Sequence, residues 1–311
     1  MPELPEVTTT VNGLNKNVRN LKITEVWSDY HLRTKSKNLE TIKNKRFWLF
    51  FKKEVVGQKI KLAERRGKNI LIHLSGNSTS SKLRETNKTI LVHMKMTGHF
   101  LYGKYFFKNG KWESDEKFLS DPFNKFIRLI FRLSNGKYLA FSDMRRFAKV
   151  TLFESNQMSN HQDLKILGPE ANDQKLDWKT LKERLSKKPE WHIKTALMDQ
   201  TVTAGIGNIY SDEILWASGI HPEKKVKKIS DKEIKTILNQ TIKILSHSIT
   251  LGGDSMSDYR NIDGKKGGYQ NSHKAYRKTN EKCSKKSCGG IITRKIIDGR
   301  SAHFCNIHQK L

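Results

Sequence analysis

Cysteine is scarce in this chain and confined to one end: Cys283, Cys288 and Cys305 are the only three among 311 residues, and all fall in the last 29 positions. An odd number so placed excludes a disulfide framework for the bulk of the fold, which must rest on a hydrophobic core. Acidic residues are also in deficit, 31 Asp and Glu against 59 Lys and Arg, for a formal net charge of +28. Such a balance disfavours cationic ligands and favours a polyanion bound in a salt-dependent way. Long apolar runs are missing: no stretch of eighteen apolar residues exists, and the start lacks the charged-then-apolar order of a signal segment. A soluble, cytoplasmic protein without a membrane partner is expected, nucleoid-associated if bacterial. No tandem repeat is visible.

What is present begins at the first residues, Met1-Pro2-Glu3-Leu4-Pro5-Glu6-Val7. Removal of the initiator would leave Pro2 with a free secondary amine, far less basic than a lysine side chain and able to attack an electrophilic carbon. Glu3 and Glu6 stand beside it as acid, base or electrostatic partner. The plain alternative is an extended tail punctuated by proline.

The first half reads as strands. Asn69-Ile-Leu-Ile-His-Leu74, Thr89-Ile-Leu-Val-His-Met94, Phe126-Ile-Arg-Leu-Ile-Phe-Arg-Leu133 and Tyr138-Leu-Ala-Phe141 are short, rich in β-branched or aromatic residues, and separated by polar turns. They predict a β-sandwich over residues 1–154, with exposed loops at 75–88 and 108–117. Residues 155–166 read as a linker, after which helical periodicity takes over to residue 278. Helices are expected at 191–200 and 208–218, and a third starts at Ser230, where Ser230-Asp-Lys-Glu233 has capping-box spacing and Gly252-Gly253 supplies the stop. Between the first two, Gly205 and Gly207 allow a tight turn, Asn208 can donate through its amide, and a helix start there would face a phosphate.

The tail, 279–311, carries Cys283-x4-Cys288-x16-Cys305-x2-His308. Four ligands in two close pairs, across a hairpin expected at 291–297 and 302–304, suit one tetrahedral structural zinc. His303 is the poorer candidate for the fourth ligand, being one residue removed from Cys305.

Taken together, the opening heptapeptide, the run from Leu197 to Pro222 and the cysteine-bearing tail resemble the formamidopyrimidine-DNA glycosylase family over nearly the whole chain and in the family's order. The resemblance implies an α+β fold: an N-terminal β-sandwich flanked by helices, a helix-two-turn-helix domain at 167–278, and a β-hairpin zinc finger. It implies a bifunctional glycosylase and AP lyase acting as a monomer on damaged double-stranded DNA, with Pro2 forming a Schiff base, Glu3 assisting, and no nucleotide or redox cofactor. Lys68, in Glu64-Arg-Arg-Gly-Lys68, then matches a lysine that reaches the lesion-flanking phosphate. Met96, in His93-Met-Lys-Met-Thr-Gly98, matches the side chain that fills the space of an everted base. Asp143-Met-Arg-Arg-Phe147 supplies Arg145, facing the orphaned base, and Phe147, a second wedge. Asn208 and Arg300 match phosphate-gripping positions; Lys194 and Glu213 match positions near the damaged nucleotide, and Tyr276 matches as well. The glycine-rich stretch 254–278 resembles the lesion-capping loop of oxidised-purine members and, with Leu4, favours 8-oxoguanine and formamidopyrimidines over oxidised pyrimidines. Two alternatives stay open: the same chemistry on oxidised pyrimidines, and a noncatalytic zinc-dependent DNA-binding protein. This chain departs from the pattern at Lys95 and Ala148, where glycine is usual, at Lys125-Phe-Ile-Arg128, and in the finger, whose first pair is two residues longer and whose last ligand is histidine.

Overall fold

The computed structural model describes residues 1–33, 39–75 and 87–311, and within them two compact units. The first comprises Met1–Lys165 and Gly252–Gly267; the second comprises Ile166–Leu251 and Gly268–Leu311.

The first unit contains α1 (Leu4–Asn17), β1 (Ile23–Ser28), α2 (Tyr30–Arg33), α3 (Lys45–Val55), β2 (Lys59–Arg66), β3 (Asn69–Ser75), β4 (Lys88–His93), β5 (His99–Gly103), β6 (Phe106–Lys108), β7 (Lys111–Glu113), β8 (Ile127–Leu133), β9 (Tyr138–Ser142), β10 (Lys149–Glu154) and α4 (Gln162–Lys165). Its strands form two antiparallel four-stranded sheets, ordered β1-β8-β9-β5 and β10-β4-β3-β2. Alternation along each strand sends Ile70, Ile72, Leu74, Ile90 and Val92 from one sheet and Phe100, Leu129, Phe131 and Phe141 from the other into one core. This is the expected sandwich.

Several features were not legible in the pattern. The opening residues are helical: α1 buries Leu4, Val7, Val11 and Leu14, a stripe at helical spacing, against the sandwich core. The segment 108–117 is a hairpin in part, β6 pairing β7, and its Trp112 packs with Trp27 and Tyr138 over the outer face of the β1-containing sheet. Within the linker expected at 155–166, residues 155–160 form a 3-10 turn that leads into α4, and the division between the two units falls after Lys165. Most of the loop expected at 75–88 lies outside the described residues.

The second unit holds α5 (Trp178–Ser186), α6 (Ile193–Met198), α7 (Asn208–Ser218), α8 (Asp231–Thr250), β11 (Ile292–Ile297) and β12 (Arg300–Cys305). The capping box of α8 forms as its spacing requires, with Glu233 N donating to Ser230 Oγ at 3.3 Å and Ser230 N to Glu233 Oε2 at 2.9 Å. Helix α6 is shorter than the expected 191–200. Asp199 ends it with an extended backbone, and the Gln200 side chain then stitches the following turn through Met198 O, Ile206 O and Gly205 N.

The glycine-rich stretch divides between the units. Its first part, through Gly267, packs onto the sandwich unit instead of standing free as a loop of the helical one. Tyr259, Arg260 and Ile262 are buried, Tyr102 N donates to Ile262 O at 2.8 Å, and a Cβ on Gly13 of α1 would meet Ile262 at 2.5 Å. A polar, glycine-rich composition concealed those three anchors.

Candidate active site and nucleic-acid interface

In the first unit the proposed catalytic residues sit where α1 begins. Glu3 is the N-cap, and Glu6 Oε2, one turn on, accepts from Glu3 N at 2.7 Å. The other carboxylate oxygen of Glu6 accepts from Asp254 N at 2.7 Å, and Tyr259 Oη donates to Glu6 O at 3.1 Å. Glu6 is therefore spent on backbone donors and fixes the direction in which Pro2 and Glu3 leave the helix. Pro2 and Glu3 are both buried.

Lys68 occupies the tight turn between β2 and β3, next to Gly67 with φ +57°, and is only 6% exposed, unlike the solvated lysine that a strand-edge turn usually carries. Met96, Arg145 and Phe147 are exposed on two neighbouring loops, contrary to the core burial that an isolated Met or Phe in a sandwich would suggest. They touch: Arg145 Nη1 lies 3.1 Å from Met96 Sδ, and its guanidinium sits 4.4 Å from the Phe147 ring centroid. The result is a Met-Arg-Phe stack presented to solvent.

Two loop residues that support it adopt left-handed backbone, Lys95 with φ +56° and Arg146 with φ +55°. Lys95 thus explains why glycine is usual at its position. Ala148 carries no such strain; its N–H donates to the buried Asp143 at 2.9 Å. His93, beside Lys95, accepts from Lys95 N at 3.0 Å through Nδ1. Burial, reinforced by the positive charges of Lys95 and Lys68, pushes its pKa down to about 3, so it is neutral at physiological pH.

In the second unit, Asn208 opens α7 after the Gly205-Ile-Gly207 turn, in which Gly205 has φ +113°. Its Nδ2 lies 3.2 Å from Ser301 Oγ, and its Oδ1 is buried without a partner among the described residues. Ser301 follows Arg300 at the end of a two-residue Asp298-Gly299 turn, both residues having positive φ, which is the hairpin connection that Asp-Gly favours. Arg300 is exposed at that tip.

Lys194 and Glu213 lie inside. Lys194, 1% exposed, donates to Asp212 Oδ1 at 2.6 Å and Ser211 Oγ at 3.0 Å. Glu213 accepts from the backbone N–H groups of Lys274, Ala275 and Tyr276 at 2.8 to 3.0 Å, which sets the path of the segment carrying Tyr276. Burial raises the pKa of Glu213 while those three donors oppose the rise. Asp212 had no place in the sequence reading, and His303 entered it only as the poorer candidate for the fourth metal ligand. Asp212 Oδ2 accepts from His303 N at 3.0 Å and contacts His303 Nδ1 at 2.8 Å, tying β12 to α7. The only signal available was the adjacency of Asp212 to Glu213 on one helix.

Cys283, Cys288, Cys305 and His308 converge, their ligand atoms all within 4.8 Å of one another. His308 Nε2 is 3.0 Å from Trp216 O, which fixes that nitrogen as the donor and leaves the lone pair of Nδ1 facing the thiols at 3.4 and 3.8 Å. Three sulfurs and an imidazole oriented in this way suit a tetrahedral metal site, and a Cβ on Gly290 would lie 2.5 Å from Cys305 Sγ. His303, occupied by Asp212, is not among the four.

Residues 1–150 match the formamidopyrimidine-DNA glycosylase N-terminal domain, and residues 167–260 the formamidopyrimidine-DNA glycosylase H2TH domain. The chain belongs to the formamidopyrimidine-DNA glycosylase family. Over 98% of its length it is 33% identical to the formamidopyrimidine-DNA glycosylase of Streptococcus pneumoniae R6, covering 97% of that protein, and 32% identical to that of Bacillus subtilis 168, covering 98%. Among solved structures it resembles a Lactococcus lactis Fpg variant in complex with Fapy-dG-containing DNA, with a TM-score of 0.80, 30% identity and full coverage of both chains. The Lactococcus lactis Fpg bound to DNA containing an abasic site gives the same TM-score and identity over 99% of this chain and all of that one. No helix among the described residues is long and apolar enough to cross a membrane.

Proposed function

We propose that this member of the family is a base-excision-repair enzyme that removes oxidised purines from double-stranded DNA and then cleaves the strand as an AP lyase. The observation that carries the reading is the buried Pro2-Glu3 pair at the start of α1, held by Glu6, in a chain that matches the family through both domains. Loss of Met1 converts the Pro2 nitrogen from an amide to a secondary amine. That nitrogen attacks C1′ of an everted nucleotide, and the bond from C1′ to the base breaks as the departing base takes up a proton. Glu3 serves the opening of the sugar by delivering a proton toward the ring oxygen. The iminium then acidifies the C2′ proton, whose removal expels the 3′ phosphate; a second elimination expels the 5′ phosphate.

Lys68, Asn208 and Arg300 are read as phosphate contacts, and Met96, Arg145 and Phe147 as the group that fills the vacated space and meets the orphaned base. For Asn208 the reading is supported by its place at the start of α7, directly after the Gly205-Ile-Gly207 turn, where the first N–H groups of the helix have no partner within it. Cys283, Cys288, Cys305 and His308 would hold one structural zinc, which cross-links the finger and supplies no reacting group. The formal net charge of +28 suits a polyanion partner, and the reading is of a cytoplasmic monomer working on the chromosome.

Borohydride trapping on 8-oxoguanine duplex tests the chemistry. The mature protein should be captured covalently, Pro2→Gly should abolish capture, and Glu3→Gln should lose base excision while still binding DNA. Equal capture of a protein with a blocked N-terminus would overturn the mechanism. Faster excision of thymine glycol than of 8-oxoguanine would transfer the specificity to oxidised pyrimidines.

A further inference from the structure

We propose that Asp143 and Tyr30 are positioning residues that set the Met96-Arg145-Phe147 stack for entry into the duplex; the inference rests on the reading of that stack as the group that enters. Asp143 is fully buried. One of its carboxylate oxygens accepts from Tyr30 Oη at 2.7 Å and Ala148 N at 2.9 Å, and the other from Thr97 Oγ1 at 2.5 Å. Thr97 Oγ1 in turn accepts from Arg145 N at 3.1 Å. A single carboxylate thereby grips both loops, the Met96 loop through Thr97 and the Arg145-Phe147 loop near each end.

A second anchor, Asp29, adjoins Tyr30. It holds Arg146 in a two-pronged pair at 2.8 and 2.7 Å, and Arg128 at 3.1 Å, while Arg128 Nε reaches Asp143 O at 3.4 Å. The left-handed backbone of Arg146 is costly for a residue with a side chain, and its guanidinium is turned inward onto Asp29. Its neighbours Arg145 and Phe147 are both exposed. The strain is thus spent on presenting two side chains outward from consecutive alternate positions. Neither Asp143 nor Tyr30 can touch DNA, since both are fully buried. Their effect on catalysis must pass through the stack.

The test uses the full-length mature protein and a duplex with 2-aminopurine opposite a tetrahydrofuran abasic analogue, whose fluorescence rises when the opposing base is unstacked. Tyr30→Phe keeps the packing and removes one donor from the hub. It should slow the rise roughly fivefold, the effect of one hydrogen bond, and lower kcat/KM on paired 8-oxoguanine to a similar extent. Asp143→Asn should do more. On a duplex missing the nucleotide opposite the lesion, where no base has to be displaced, both variants should work within about twofold of the parent. An unchanged rate of rise in Tyr30→Phe, or equal slowing on paired and gapped duplexes, would overturn the proposal. A parent protein that produces the rise but cannot be trapped by borohydride would sink the enzymatic reading and leave the hub standing.

Discussion

Removing the charge of Asp212 should be far more damaging than removing that of its partner Lys194, although the two form one ion pair. The side chains are 0% and 1% exposed, with Nζ and Oδ1 2.6 Å apart, so neither charge can recover solvation if the other is lost. Asp212→Asn leaves Lys194 with neutral acceptors alone, Ser211 Oγ at 3.0 Å, Asn208 O at 3.5 Å and the new amide oxygen, and sets the amide nitrogen against the donors of His303. An uncompensated buried charge of this kind costs about 3–5 kcal/mol. Lys194→Met, by contrast, leaves Asp212 with both donors of His303, so the loss should be nearer to about 1–3 kcal/mol. The double variant should cost less than the sum of the singles, because it removes both charges together. The assay is urea unfolding followed by tryptophan emission, with Trp178, Trp191 and Trp216 reporting on the second unit. A cost below about 1 kcal/mol for Asp212→Asn, or a greater cost for Lys194→Met than for Asp212→Asn, would refute the reasoning. Asp212→Asn should also weaken DNA binding, because Asp212 fixes β12, and with it the hairpin that ends in Arg300.

Lys95→Gly should stabilise the fold by about 0.5–1 kcal/mol by relieving left-handed strain, while lowering the salt dependence of DNA binding through loss of a cation; destabilisation on thermal melting would show that the lysine makes a contact worth more than the strain. His93 has a folded pKa of about 3 below its ordinary 6.5, so the unfolded chain binds the extra proton between those values: stability is intact above pH 6.5 and falls as the pH drops toward 3. His93→Gln should flatten that part of the acid-denaturation curve, and an unaltered curve would mean the imidazole titrates freely. The purified protein should hold one zinc per chain, and His308→Ala should release it more readily to a chelator, lowering DNA affinity while the first unit stays folded; stoichiometric zinc that resists chelation as before would assign the fourth position to another donor.

The sequence by itself determined what depends on residue type and local spacing. Four ligands in two close pairs pointed to a hairpin because the spacing involves only a few bonds of chain, although the structure closes it more tightly than the expected 291–297 and 302–304, pairing Ile297 with Arg300 across Asp298-Gly299. Ser230-Asp-Lys-Glu233 wrote the start of α8 for the same reason, and β-branched runs wrote the strands. The candidate residues were legible as members of motifs, yet their environments were not. Nothing local says that Lys194 is buried against Asp212 while Arg145 is exposed over Phe147, because burial is set by which elements pack, and α7 and β12 meet only through contacts distant in the chain. The first helix was hidden by Pro5 in its own first turn, which is tolerated there because the earliest N–H groups of a helix have no partner within it. The division of the glycine-rich stretch was likewise tertiary: Tyr259, Arg260 and Ile262 are unremarkable in a polar context, and only α1, β5 and Asp121, more than a hundred residues earlier, turn them into anchors. Tyr30 and Asp143, 113 residues apart, became one hub only when the sandwich closed.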